Sequence, residues 1–170
     1  GVYFQDKKIN RLKSFEGDII YEGRSGSSIR FGAAFKTMST RGFFKSTTED
    51  QAPNLLLRVG QDPNAEVTKK TQFGLVLEDI NNDASSVWMV SDQIVPIKLS
   101  TELNKQVHTK SIPDFPSVFD GTQIFLNSNR IVLNAKIDKI TMHANKGVHL
   151  TSLKNVTVDI NDYICLGTPI

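Results

Sequence analysis

Short runs of alternating apolar and polar residues recur along the chain. Windows with apolar side chains at i, i+3, i+4 and i+7 behind a cap are missing. The pattern predicts strands over Asp18–Tyr21, Ser28–Phe31, Asn54–Val59, Phe73–Leu77 and Ser86–Val90, separated by clusters such as Gly23-Arg24-Ser25-Gly26 and Asn81-Asn82-Asp83. The first two runs, joined by the Gly-rich turn, read as a hairpin. Residues 1–90 are therefore expected to form a small, collar-like all-β domain.

Residues 91–120 break the rhythm. Pro96, Pro113 and Pro116 fall here among polar residues, and Ser100 to Gln106 is the one stretch with some helical character. Proline has no N–H to give to a sheet ladder, so the segment reads as an extended connector that packs on a neighbour or on the surface.

From residue 121 to 170 the chain repeats itself. The units are Ile124-Phe125-Leu126-Asn127, Ile131-Val132-Leu133-Asn134, Ile140-Thr141-Met142-His143, Val148-His149-Leu150-Thr151, Val156-Thr157-Val158-Asp159 and Ile164-Cys165-Leu166-Gly167. Their starts are spaced by seven, nine, eight, eight and eight residues. Each is an apolar, any, apolar triplet followed by a small or polar residue.

Period-two alternation puts both apolar members of a triplet on one face of a strand. A buried Val, Leu or Ile contributes roughly 1.5–3 kcal/mol, while fixing each residue's backbone costs roughly 1–2 kcal/mol. A triplet therefore cannot hold itself, and other strands must close the stripe. Eight residues are too few for a full three-sided coil of a single-chain solenoid. Three chains, each giving one side of a triangular prism, complete one. The octads thus predict a trimeric, intertwined β-helix, with Ile124, Leu126, Ile131, Leu133, Ile140, Met142, Val148, Leu150, Val156, Val158, Ile164 and Leu166 as its shared core. Closing the prism would also pair the strand edges. An antiparallel meander is the alternative, but no Asn-Gly or Asp-Gly turn joins the six units.

Composition narrows the function classes. Twenty basic and 18 acidic residues give a net charge of +2, so no strong field points to nucleic acid or to an anionic membrane. One cysteine, Cys165, excludes an internal disulfide, and no Cys/His spacing suits zinc. No apolar stretch is long enough for a membrane-spanning helix, and none near Gly1 resembles a signal peptide. The opening Gly1-Val2-Tyr3-Phe4-Gln5 starts in mid-pattern, as a fragment of a longer protein or a tag remnant would.

The octad array resembles the C-terminal β-helix of central spike proteins of contractile-tailed bacteriophages. Upstream, Phe15-Glu16-Gly17-Asp18-Ile19-Ile20-Tyr21-Glu22-Gly23-Arg24 followed by Ser28-Ile29-Arg30-Phe31-Gly32 is similar to a block in the baseplate hub and spike proteins of large myophages. Leu57-Arg58-Val59-Gly60 and Glu78-Asp79-Ile80-Asn81-Asn82-Asp83-Ala84-Ser85-Ser86-Val87 resemble the segments that follow it there, in the same order. The likeness covers about residues 15 to 167. It implies a homotrimeric needle in the tail baseplate of a virion, gripped by other baseplate proteins and touching the bacterial envelope only transiently. That family usually carries an oligosaccharide-binding-type barrel upstream, and some members a lysozyme domain. The tract from Gly1 to Phe15 is too short for the barrel, so wall degradation is not expected of this stretch.

Residues with catalytic types have plainer readings. Glu16, Asp18 and Glu22 imitate a glycosidase carboxylate set, but charges beside a Gly-rich turn are ordinarily solvated. His143 follows its triplet at a corner and His149 is an outward-facing middle, so neither is expected to bind metal. His108 stands alone in the connector. Cys165, another triplet middle, has no histidine after it. Gly23-Arg24-Ser25-Gly26 lacks the Lys-Ser or Lys-Thr and the helix of a phosphate loop. Arg24, Arg30 and Arg58 read as partner contacts or, equally well, as surface residues that keep the chain soluble, and Trp88 as core or as an anchor between protomers. The chain is thus expected to be no enzyme, to need no cofactor and to bind no nucleic acid. A carbohydrate-recognising trimeric fibre is the next reading, but its aromatic platforms are missing, since the octads hold only Phe125 and Tyr163. A polysaccharide lyase would need longer coils and clustered carboxylates.

Overall fold

In a computed structural model of the chain, the described residues are 9–36, 46, 51–65, 74–100, 114–161, 164 and 167. They are all-β, without a helix. They fall into two units, one within Gly1–Lys98 and Ser111–Leu133, the other within Leu99–Lys110 and Asn134–Ile170.

The first unit is built on one antiparallel sheet in which each strand pairs with the next: β1 (Ile19–Glu22), β2 (Ser28–Ala34), β3 (Ala52–Val59), β4 (Ser85–Val90) and β5 (Gln123–Ser128). The expected hairpin is present. Gly23 N donates to Ser27 O at 2.7 Å and Gly26 N to Gly23 O at 3.0 Å. Gly26 has a φ of 88°, a left-handed conformation that glycine adopts without a Cβ penalty.

Alternation gives the sheet two faces with unlike chemistry. On the covered face lie Ala34, Ala52, Leu56, Trp88, Val90 and Phe125, packed with Ile80, Val95 and Ile97. The same face also buries Arg30, Arg58, Asn54 and Ser86. Its cover comes from outside the sheet. The Leu12 segment forms a parallel bridge to Val76, with Lys13 N donating to Val76 O at 2.8 Å. Gln61 clamps the backbone of Asn10 with bonds of 2.9 and 2.8 Å.

On the open face the register aligns two apolar rows across all five strands. One runs Ile19, Phe31, Leu55, Met89, Ile124, and the other Tyr21, Ile29, Leu57, Val87, Leu126. The four residues on β3 and β4 are half-buried by their neighbours, and the six on β1, β2 and β5 are exposed.

Several expectations change at this level. Phe73–Leu77 gives no strand among its described residues; Gly74 has a φ of 65°, and Val76 is spent on the bridge to Leu12. The first octad triplet is β5 of the sheet, so the compact unit does not stop at residue 90. Part of the connector is core: Val95 and Ile97 are buried, and Asn81 holds it through Nδ2 to Pro96 O at 2.9 Å and Oδ1 to Lys98 N at 2.8 Å. The helical stretch expected at 100–106 lies, beyond Ser100, outside the described residues.

Candidate assembly surface

The octads define the surface of interest. From residue 129 onward the described residues contain no strand. The eleven described core positions, Ile124, Leu126, Ile131, Leu133, Ile140, Met142, Val148, Leu150, Val156, Val158 and Ile164, are between 51% and 70% exposed in the single chain. Leu166 lies outside the described residues. An alternating stripe of Ile, Leu and Val is the type of surface that a folded chain ordinarily buries. Among the described residues it stands open.

The first triplet differs from the others. Phe125, a triplet middle and thus expected to face outward, is only 8% exposed because it faces the covered side of the sheet opposite Trp88. Its flanking residues Ile124 and Leu126 point the other way and extend the two open rows. Trp88 is core as expected, at 2% exposure. Asn127, which ends the triplet, bonds through Nδ2 to Ile80 O and so ties β5 to the 79–83 turn.

Five charged residues of the first unit, Asp18, Arg30, Arg58, Glu78 and Asp83, are structural. Arg30 is 1% exposed and not a surface residue. Its Nε and Nη2 donate to the two carboxylate oxygens of Glu78 at 2.8 and 2.9 Å, its Nη1 to Asp18 Oδ2 at 2.5 Å, and its Nη2 also to Lys13 O at 2.9 Å. Bidentate pairing with extra donors satisfied is the arrangement that lets a guanidinium stay buried. Asp18, expected in solvent, therefore pairs with Arg30 and also accepts from Phe15 N at 3.1 Å. Glu22 accepts from Leu12 N at 2.7 Å. Glu16 is exposed.

Arg58 is buried as well, with Nη1 3.8 Å from Asp83 Oδ1, an ion pair too long to be a hydrogen bond. Asp83 Oδ2 accepts from Asp79 N at 2.8 Å and Oδ1 from Asp62 N at 3.1 Å. Burial raises the Asp83 carboxyl above its ordinary value of 3.8, and the Asp79 N–H, Arg58 and the Asp62 N–H oppose that shift. The motifs quoted for the spike resemblance thus contain Asp18, Arg30, Arg58, Glu78 and Asp83, the residues that form the buried charged framework.

His143 and His149 are exposed in the single chain, as are the apolar octad positions beside them. Among the described residues no three His, Cys, Asp or Glu side chains are grouped to hold a metal. Arg24 is exposed in the hairpin turn. His108, Tyr163 and Cys165 lie outside the described residues.

Sequence reasoning missed the open rows of β1 to β4. Their signal was present as the second alternating series in each strand, but Arg30 and Arg58 were assigned to the outer face, which hid it. Comparison with protein-family models, with curated proteins and with solved structures found no match.

Proposed function

We propose that this chain is the homotrimeric central spike, or hub, of a contractile phage tail baseplate, acting as a rigid needle when the tail penetrates a cell envelope. The observation that carries the reading is the octad stripe: eleven apolar side chains at near-constant spacing, each at least half exposed in one chain. A three-chain prism supplies what the stripe lacks, because each chain closes the coils of the other two. Such an assembly resists force, since its subunits part only by unwinding. The similarity of the Phe15–Gly32, Leu57–Gly60 and Glu78–Val87 segments to spike proteins supports placing the needle in a virion baseplate among other tail proteins.

The test is the mass in solution by light scattering behind a size-exclusion column. The expected species has three times the 18.9 kDa of the chain. A monomer would sink the proposal.

A further inference from the structure

The octads explain only the two outermost members of the open sheet face, Ile124 and Leu126. The other eight side chains in the two rows have no part in a prism made by the repeats. We propose that this sheet face is a second interchain interface, covered by another copy of this chain; the inference rests on the trimeric reading above.

An antiparallel sheet with one face on the core ordinarily presents polar residues on the other. Here both faces carry apolar residues, and the charges lie on the covered one. The covered side holds the Arg30 and Arg58 ion pairs, while neither open row contains a charged residue. A face of this kind requires a second layer. Apolar grooves run along the rows, one of about 480 Å³ lined by Phe31, Met89 and Ile124 and one of about 490 Å³ lined by Tyr21, Ile29 and Leu57.

Three considerations select a copy of the chain as the occupant. The absence of charge in the rows leaves a partner recognised by ionic pairing without a counterpart. The chain itself presents apolar Ile and Leu surface, and the octad series begins in sequence on this face, because Ile124 and Leu126 belong to both. Chains that associate through the repeats therefore already share residues of the face. Size gives the third reason. Five strands spaced at roughly 4.8 Å make a face about 20 Å wide, and strands of mostly six to eight residues at roughly 3.4 Å each make it about 20–27 Å long. Its roughly 400–500 Å² is too little by itself for the roughly 800 Å² that each partner of a stable pair buries. It suits one part of a larger interface between chains better than a site for a separate protein.

The experiment uses the full chain with Cys165→Ser, so that one introduced thiol reports. Leu57→Cys places it in the middle of the face, and Val87→Cys is a second probe should the first not fold. Leu150→Cys reports on the octads and Ser25→Cys, in the exposed hairpin turn, on open solvent. Rates of reaction with a maleimide are compared on material whose mass has been measured, with Trp88 emission as the check of folding. The expected result is a trimer in which Leu57→Cys reacts at least about ten-fold more slowly than Ser25→Cys, the signature of a site reached only by opening. A trimer in which both react alike overturns the covered face and leaves the spike reading standing. A protected Leu57→Cys beside a freely reacting Leu150→Cys in an oligomer upholds the face and overturns the octad core. A monomer overturns both, whether Leu57→Cys is open or protected by its own chain.

Discussion

At Arg30 a guanidinium is held in a nearly closed site by Glu78, Asp18 and the Lys13 carbonyl. Removing one partner does more than delete an attraction, because the remaining charge stays buried without compensation. Glu78→Ala is therefore expected to lower stability by about 3–5 kcal/mol, read as a shifted denaturant midpoint at Trp88 emission. A loss below about 1 kcal/mol, the scale of exposed pairs, would show that the guanidinium finds water instead.

Asp83 makes a pH-dependent case, with Arg58 and Asp79 as its charged neighbours. Burial raises its carboxyl above 3.8, so the folded chain holds that proton more tightly than the unfolded chain. By linkage, Asp83 costs stability above its folded value, and the cost is relieved as pH falls through that value toward 3.8. Asp83→Asn removes the titration. The stability of the wild type relative to Asp83→Asn should thus improve as pH falls across that window. A gap that stays constant from neutral pH to 3.8 would contradict the assignment.

Among the elements, β1 to β4 were legible because each carries its own alternation and is bounded by turn residues. The hairpin was legible because its turn is local. What the sequence did not disclose depends on partners far along the chain. Arg30 alternates with Ile29 and Phe31, and a local reading sends the arginine outward. The fold sends it inward because Glu78, 48 residues away, is waiting there. Phe73–Leu77 has the composition of a strand, but the bridge to Leu12 draws Val76 out of the sheet. The triplet Ile124-Phe125-Leu126 has the same pattern as the later octads. It joins the sheet because Phe125 fits opposite Trp88, a match that periodicity alone does not reveal. The octads themselves were legible as a repeat, since spacing is a property of the sequence. What covers them is not written in the spacing, and in the single chain the described octad positions stay exposed.

For the whole molecule, the two kinds of surface make separable demands. Among the described residues the sheet's covered core, which includes Trp88, is buried within one chain, whereas the octad stripe is exposed there. Val148→Lys with Leu150→Lys changes one repeat, in the second unit, and touches no residue of the sheet's core. In a trimer it would replace six buried side chains, worth about 9–18 kcal/mol at 1.5–3 kcal/mol each, by six ammonium groups that strongly resist burial. The variant should therefore run as a monomer or a loosened oligomer under conditions where the parent chain is a trimer. Trp88, the only tryptophan, should keep its blue-shifted emission, because the residues packed around it are unchanged. Light scattering and fluorescence on the same sample separate the outcomes. A parent trimer whose mass survives the double substitution would show that the octads are not its core. A loss of mass together with a red-shifted Trp88 would show that the sheet depends on the assembly for its own fold, as obligate oligomers often do.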